Sequence, residues 1–198
     1  MVQYSVVDIK CPGCGGAVST SQKNCKFCGN PVIITSFNSV YGMNPQVTNK
    51  YVKFYKEALA DNPNNPQLNS SIGMCYLKLK LYDKALESFE KAIEDDFDNS
   101  ETYFYAAVCL LKGRKAFLTP KADIDKALEY INAALMIENR GVYNYFSAYI
   151  KYDFYARKSL NIYPNYADEL TDAYRNNVTD EDIRILFELL NVEKPKVF

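Results

Sequence analysis

The sequence predicts a mainly α-helical protein, in which antiparallel helical hairpins stack in series behind a small β-structured segment rich in cysteine. Four of the six cysteines lie between residues 11 and 28, whereas the residues after 36 place apolar side chains at helical spacing. Several stretches of this second part also repeat at an offset of 34 residues. We therefore divide the chain into segments 1–36, 37–178 and 179–198.

Composition favours a globular protein that is not an enzyme. The 198 residues are 48% hydrophobic and 24% charged, with a net charge of -1. The count of histidines is 0, which removes the most common general base and any histidine-based triad. No apolar run is long enough for membrane insertion, and the start, MVQYSVVDIKCP, lacks a secretory signal. We expect a cytoplasmic protein.

The clustered cysteines predict a metal site. Cys11 and Cys14 form one Cys-x-x-Cys pair, Cys25 and Cys28 form a second, and ten residues separate the pairs. Two turns of this kind present four thiolates to one tetrahedral ion, and thiolate sulfur suits zinc. Because so small a segment has almost no core, the metal would supply most of its folding free energy, about 10 kcal/mol or more.

Three other uses of these thiols compete with structural zinc. Disulfides are disfavoured because a chain without a secretion signal keeps its thiols reduced. A thioredoxin-type redox motif opens a helix after a strand, whereas this motif is duplicated and its first copy runs into two glycines. An iron-sulfur or catalytic metal site is the third, but four thiolates leave zinc no open position for a substrate. One structural Zn2+ is the favoured interpretation.

The segment CPGCGGAVSTSQKNCKFCGNPV resembles the short zinc-ribbon family, whose members read Cys-Pro-x-Cys-Gly, a polar spacer, then Cys-x-x-Cys-Gly. The resemblance covers about residues 9 to 34, with all four ligand positions present. It implies structural zinc and often an N-terminal position ahead of another domain, and it fixes no function. Within the ribbon, the residues around 17–18 and 31–34 are predicted as short strands.

A repeated unit follows the ribbon. CYLKLK begins 34 residues before CLLKGR, and DKALESFEKAIEDD matches DKALEYINAALMIE at an offset of 42, which is 34 plus an eight-residue insertion. Apolar residues at helical spacing make each unit a helical hairpin. We take residues 66–99 and 100–139 as two repeats, preceded by a lone helix from Asn44-Pro45 to about Asp61.

The repeated units resemble the tetratricopeptide repeat family. In that family, small residues at the eighth, twentieth and twenty-seventh positions let the two helices of a hairpin touch. The small residues that match these positions in the first and second units are Gly73, Ala85, Ala92, Ala107, Ala127 and Ala134. The resemblance implies a helical array that binds other proteins.

The remaining parts of the helical region have structural interpretations. Cys75 and Cys109 lie outside any Cys-x-x-Cys pair and are predicted to be buried in the core rather than to bind metal. Residues 141–160 form a tyrosine-rich helix whose aromatic stripe is predicted to face a core. Thr179 and Asp182 form a capping box, and the helix that follows is predicted to seal the end of the stack. Its apolar face consists of Ile183, Leu186, Phe187 and Leu190.

A stack of helical hairpins curves so that its first helices line a concave face, which usually binds an extended peptide or a helix. The predicted partner-binding residues on these helices are Gln67, Ser70, Met74, Lys78, Glu101, Phe104, Tyr105, Val108 and Lys112. This mixture lacks the set of basic and amide side chains by which some tetratricopeptide proteins grip a C-terminal carboxylate. A mixed or apolar peptide is the expected ligand, which makes the protein an interaction adaptor.

Nucleic-acid binding through the ribbon is the alternative function. The ribbon contains three lysines, Lys10, Lys23 and Lys26, and one acidic residue, Asp8, so its local charge is about +2. This charge is small compared with the several phosphate contacts that nucleic-acid binding needs. An enzymatic function is the third possibility. It would need a deep pocket that contains carboxyl groups with strongly shifted pKa values.

Overall fold

A computed structural model describes residues 6–196 and confirms a mainly helical protein with a two-stranded sheet near its N-terminus. Its elements in chain order are β1 (Asp8–Lys10), β2 (Ala17–Ser19), α1 (Asn38–Tyr41), α2 (Pro45–Asp61), α3 (Pro66–Lys78), α4 (Tyr82–Asp95), α5 (Ser100–Leu110), α6 (Lys121–Ile137), α7 (Gly141–Ile150), α8 (Tyr166–Arg175) and α9 (Asp180–Leu190). None of these helices has the length and apolar character needed to cross a bilayer.

The chain divides into two compact units, with the boundary between Asp98 and Asn99. The first unit contains the ribbon and α1–α4, and the second contains α5–α9. The segment limits proposed from the sequence, 1–36, 37–178 and 179–198, stay predictions. Within the first unit the ribbon lies against α2, so it shares a compact body with helices instead of standing alone.

Only one of the two predicted ribbon strands forms. β2 covers the predicted residues 17–18 and pairs antiparallel with β1, which the sequence did not predict. The prediction of a strand over 31–34 is wrong, because among the described residues this segment makes a single bridge, between Pro31 and Asn24. Val32, Ile33 and Ile34 are instead buried, since their apolar side chains join the helical core.

Segment 32–41 packs against the first helical hairpin. The Ile34 N–H donates to Ser71 Oγ at 3.0 Å, and seven residues along each chain Lys78 Nζ donates to the Tyr41 carbonyl at 2.5 Å. Both contacts advance by seven residues in the segment and in α3, so the two run in the same direction. Seven helical residues rise about 10 Å, so the segment follows α3 for about that distance. The structure thus confirms the helix that begins after Asn44, α2, and it places segment 32–41 beside the next helix, α3.

Asparagine side chains cap the starts of α2 and α3. Asn44 Oδ1 accepts the Val47 N–H at 2.9 Å, and Asn65 Oδ1 accepts the Leu68 N–H at 3.0 Å. Each asparagine is followed by proline, which suits the first helical position because that residue needs no amide hydrogen. These caps fix the starts of α2 and α3 at the residues that the sequence indicated.

The hairpin α3–α4 is closely packed at Gly73. A Cβ atom added to this glycine would lie 2.7 Å from Cε1 of Phe89, and that phenyl ring is fully buried. In the second hairpin, α5–α6, the equivalent positions are occupied by Ala107 and Ile131, which are also fully buried. The first hairpin therefore pairs a glycine with the large ring of Phe89. The second pairs an alanine with the smaller side chain of Ile131.

A third hairpin completes the second unit. α7 continues through a π-helical turn, Lys151–Tyr155, and a 3-10 turn, Ala156–Lys158, and then α8 packs back against α7. The predicted helix over 141–160 is confirmed as far as Lys158. Its tyrosines face the core as expected, since Tyr145 and Tyr149 are buried, whereas Tyr152 is half-buried against the ring of Tyr166.

The final helix, α9, begins with the predicted capping box between Thr179 and Asp182. Its predicted apolar face is buried, and its role in sealing the end of the stack stays a prediction. α9 packs against α7 and α5, the first helices of the third and second hairpins. Phe187 contacts the rings of Tyr149 and Tyr145, with centroid separations of 5.2 and 6.4 Å. These aromatic contacts hold α9 against the side of α7.

Candidate metal centre and partner-binding residues

The two cysteine pairs of the ribbon lie on two turns with the same backbone structure. In the first turn the Gly15 N–H donates to the Cys11 carbonyl at 2.8 Å, and in the second the Gly29 N–H donates to the Cys25 carbonyl at 2.8 Å. Gly15 and Gly29 have φ angles of 80° and 73°, a region that glycine enters without the steric cost of a Cβ atom. The repeated Cys-then-Gly pattern thus folds into two equivalent turns, or knuckles, each of which carries two cysteines.

The four sulfur atoms of these knuckles fit one tetrahedral ion. Sγ of Cys11 lies 3.7 Å from Sγ of Cys28, Sγ of Cys14 lies 3.8 Å from Sγ of Cys25, and all four lie within 4.8 Å of one another. A tetrahedron with zinc–sulfur bonds of about 2.3 Å has edges of about 3.8 Å. The donor set and its spacing therefore suit zinc, and four thiolates would leave no position for a substrate.

The thiols of the cluster differ in acidity. Burial raises the pKa of Cys11 to about 12, although hydrogen bonds from the Cys14 and Gly13 backbones oppose this shift. Burial acts in the same direction on Cys25, but hydrogen bonds from the backbone N–H groups of Phe27 and Cys28 outweigh it and lower the pKa of Cys25 to about 7. N–H groups directed at sulfur stabilise a thiolate, which is the form that binds zinc.

The other two cysteines are part of the helical core. Cys75 and Cys109 are buried and form no disulfide, and neither belongs to the group of sulfurs that could hold a metal ion within residues 6–196. Their prediction as core residues is confirmed. Burial also raises the pKa of Cys75 well above its ordinary value, which makes its thiol unreactive as a nucleophile.

The predicted partner-binding residues of α3 differ in exposure. Gln67 and Ser70 are half-buried and reach the surface, whereas Met74 is buried. Lys78 is half-buried, and its Nζ binds the Tyr41 carbonyl and lies 4.9 Å from the centre of the Tyr41 ring. Segment 32–41 therefore already occupies the end of α3 that carries Lys78.

The predicted residues of α5 are mostly part of the core of the second unit. Phe104, Tyr105 and Val108 are buried, and the Phe104 ring contacts the rings of Tyr143 and Phe146 with centroid separations of 5.2 and 5.8 Å. The two charged residues of the set remain accessible, since Glu101 is half-buried and Lys112 is exposed. Whether any of these residues binds a partner stays a prediction.

Glu101 has a partner within its own unit. Its Oε1 accepts a hydrogen bond from Arg140 Nη1 at 2.7 Å, and the same guanidinium lies over the Tyr143 ring. Burial opposes the charge on Arg140, but the hydrogen bond from Arg140 to Glu101 outweighs burial and raises the pKa of Arg140. The ion pair joins α5 to the start of α7.

A buried polar cluster in the third hairpin escaped the sequence analysis. Lys151 Nζ donates to Glu169 Oε1 at 2.5 Å, and the same carboxylate accepts hydrogen bonds from Ser147 Oγ at 3.0 Å and Asn144 Nδ2 at 3.2 Å. Both members of the ion pair are 7% exposed. These four residues come from α7, the π turn and α8, so no local sequence motif predicts that they lie together. With its oxygens fully engaged, Glu169 is suited to join two helices.

The lysines proposed for nucleic-acid binding are at the surface. Lys10, Lys23 and Lys26 are exposed, and Lys26 Nζ lies 5.1 Å from the centre of the Phe27 ring. Phe27 is 65% exposed, which is unusual for an aromatic ring on a small domain. The second knuckle therefore presents a cation and an aromatic face together.

Comparison with known proteins supports the helical-repeat interpretation. Residues 68–94 match the model of the tetratricopeptide repeat family, which confirms the predicted resemblance over the first repeat. The TPR repeat-containing protein MJ1428 of Methanocaldococcus jannaschii is 24% identical over 76% of this chain. The alignment covers 30% of that relative, so this chain spans only part of its length.

Solved helical structures also resemble this chain. The structure "MamA AMB-1 P212121" superposes with a TM-score of 0.51 at 17% identity, over 75% of this chain and 84% of that chain. The structure "MamA MSR-1 C2" gives 0.50 at 18% identity, over 71% of this chain and 83% of that chain. At this identity the similarity establishes the fold alone.

Proposed function

We propose that this protein is a non-catalytic cytoplasmic adaptor that holds a peptide or helix of a partner protein on the concave face of its hairpins, at α3, since α9 covers the first helices of the other two hairpins. The zinc ribbon would serve as a second interaction module. The observation that carries this proposal is the series of antiparallel hairpins, of which residues 68–94 match the tetratricopeptide repeat family. Proteins built from such hairpins usually bind extended peptides or helices.

The accessible residues of α3 define the contact surface. Gln67 and Ser70 lie three residues apart, so their side chains point to the same side of the helix. Neither carries a charge, which suits a partner of mixed polarity better than a strongly acidic tail.

The ribbon residues favour a structural role for zinc within the adaptor. Cys11, Cys14, Cys25 and Cys28 would hold the ion, which would cross-link the two knuckles. The chain supplies the rest of the fold, since the hydroxyl groups of Tyr51 and Tyr55 donate to the Pro31 and Val32 carbonyls at 3.2 and 2.8 Å. A loaded ribbon would thus present its surface in a fixed position against α2.

Site-specific photocrosslinking tests the adaptor function. A photoreactive amino acid is placed at Ser70 on α3 and, as the matched control, at the exposed Glu94 on α4, and both full-length proteins are irradiated in the native cell. The proposal expects a discrete adduct from position 70 that is absent from position 94 and is lost when Gln67 is replaced by Glu. Equal adducts from both positions, or none from position 70, would refute it.

Nucleic-acid binding is the second candidate because Lys26 and the exposed ring of Phe27 lie side by side. An aromatic face stacks on a base while a lysine contacts phosphate, a combination found in single-strand binding. An electrophoretic shift with single-stranded RNA, measured at low and moderate salt, tests this function. Salt-dependent binding that weakens in Phe27→Ala would favour it, and the absence of a shift at low salt would exclude it.

A further inference from the structure

The strand β1 has an outer edge that faces away from β2. The Thr20 N–H donates to the Val7 carbonyl at 2.9 Å, and the register pairs Ile9 with Val18. In an antiparallel pair, hydrogen-bonded residues alternate with residues whose backbone groups point outward. The N–H and C=O groups of Asp8 and Lys10 therefore point away from β2, and no other part of residues 6–196 forms a strand beside them.

A groove separates β1 from α2. Its cavity volume is about 450 Å³, and one wall consists of the three residues of β1 together with Gly15 and with Ala17 of β2. The opposite wall consists of α2 residues, with the apolar Phe54 and Ala58 next to the acidic Glu57 and Asp61. The groove therefore combines a strand edge, a partly apolar wall and carboxylates within one unit of the structure.

Charge gives the groove a preference for cations. Asp8, Glu57 and Asp61 contribute three carboxylates to its lining, and Lys10 contributes a single ammonium group. Lys53 Nζ lies 4.0 Å from Glu57 Oε1, but both side chains are mostly exposed, so this pair is weakly held. A ligand with positive side chains would gain from the excess of negative charge.

We propose that this groove binds an extended, lysine- or arginine-rich segment of a partner protein, which adds as a third strand to the outer edge of β1. Strand addition would supply hydrogen bonds to the outward backbone groups of Asp8 and Lys10. β1 has three residues, so about three residues of the ligand pair with it at about 3.3 Å per residue. The inference rests on the proposed role of the ribbon as an interaction module and names the chemistry of its partner.

Binding to the zinc-loaded full-length protein is measured by fluorescence anisotropy with three labelled peptides. The first alternates lysine and valine over eight residues, the second alternates glutamate and valine, and the third is the lysine peptide N-methylated at every amide, so that neither edge of the peptide keeps a donor. The methyl groups remove the donors needed for strand pairing while they keep the charge and the side chains. The proposal expects saturable binding of the first peptide and loss of binding for the other two.

Two variants of Lys10 separate backbone pairing from charge. Lys10→Pro removes an outward N–H group together with a positive charge, whereas the matched control Lys10→Ala removes the charge and keeps the N–H. If electrostatics alone governed binding, both variants would bind the lysine peptide more tightly. The proposal instead expects Lys10→Pro to weaken binding by about five-fold or more and Lys10→Ala to equal or exceed the wild type. One bound zinc per chain confirms that each variant is folded.

A charge variant on α2 tests the opposite wall. Asp61→Lys is expected to weaken the lysine peptide, and the control Asp95→Lys on α4, also an exposed acid near a helix end, is expected to leave it unchanged. This pair of variants keeps the test decisive even if Lys10→Pro fails to bind zinc.

Three results would overturn the proposal. They are equal binding of the lysine and glutamate peptides, undiminished binding of the N-methylated peptide, and concentration-dependent dimers that Lys10→Pro abolishes. The last result would show that a second copy of this chain occupies the edge. If the lysine peptide fails while the Ser70 photoadduct persists, the groove proposal is refuted and the adaptor function stands. If both fail, the adaptor function fails with it.

Discussion

The close contact between Gly73 and Phe89 predicts the effect of a single methyl group. In Gly73→Ala, the new Cβ would lie 2.7 Å from Cε1, 2.9 Å from Cδ1 and 3.0 Å from Cζ of the Phe89 ring. Carbon atoms in contact prefer separations of about 3.5–4.0 Å. The ring, which is fully buried, would therefore have to move by nearly 1 Å within a filled core.

Two opposing free energies decide the sign of the change in stability. Alanine is favoured over glycine in a helix interior by about 1 kcal/mol. Overpacking a filled core costs about 1–3 kcal/mol. Since the ring is enclosed on all sides, we expect a cost near the upper end of that range and a net loss of about 1–2 kcal/mol in the free energy of unfolding.

The second hairpin indicates how this loss can be reversed. It has Ala107 where the first has Gly73, and Ile131 where the first has Phe89. The double variant Gly73→Ala with Phe89→Ile therefore reproduces a pair that already packs in this protein. Phe89→Ile alone leaves a cavity and is expected to destabilise the hairpin. The loss of unfolding free energy in the double variant should be smaller than the sum of the losses in the two single variants, by about 1 kcal/mol or more.

Urea unfolding of the wild type, the two single variants and the double variant, monitored by amide hydrogen exchange in α3, measures this double-mutant cycle. Exchange reports the first unit directly, which matters because a chain with two compact units need not unfold in one step. Additive losses, or a Gly73→Ala variant as stable as the wild type, would refute the claim that the ring limits the space at Gly73.

Three further predictions concern the metal, a buried ion pair and pH. Cys25→Ser should lower bound zinc from one per chain to none and expose the amides of the ribbon while the far-ultraviolet helical signal stays nearly intact; loss of that signal would contradict the prediction. Lys151→Met should cost about 3–5 kcal/mol because it leaves the Glu169 carboxylate buried without its cation, and adding Glu169→Leu should recover much of the loss in chemical denaturation. Hydrogen bonds from Lys121 and Tyr155 lower the pKa of Asp125, so its contribution to stability is present above its unfolded pKa and is lost as the pH falls through the folded pKa. Asp125→Asn should therefore lower the melting temperature at neutral pH, and the difference from the wild type should shrink progressively as the pH falls below the ordinary aspartate pKa of about 3.9; a difference that stays constant from neutral to acidic pH would argue against the linkage.

Features with a local cause could be predicted from the sequence. The two Cys-x-x-Cys pairs converge because each pair lies on one tight turn, and the caps at Asn44 and Thr179 bind amides only three residues away. The helical hairpins followed from residue spacing and from internal repetition, since each copy of the repeat supports the other.

Features that depend on distant contacts could not be predicted. The strand β1 has only three residues, too few for an alternating pattern to emerge, and it forms because β2 lies beside it. Segment 31–34 has the composition of a strand, but its apolar residues are buried against helices instead of pairing with another strand. Similarly, the apolar face of α9 was recognised, while its position depends on aromatic rings about forty residues earlier, such as Tyr145.

The place of segment 32–41 beside α3 restricts how this array could lengthen. A new hairpin inserted ahead of Pro66 would have to displace the chain that bonds Ser71 and Lys78, and it would carry the ribbon and α2 away from α3. Duplication of a repeat after Asp98 disturbs none of these bonds. Descendants of this gene with longer arrays should therefore have gained their extra hairpins downstream, with the ribbon still docked on the same first helices.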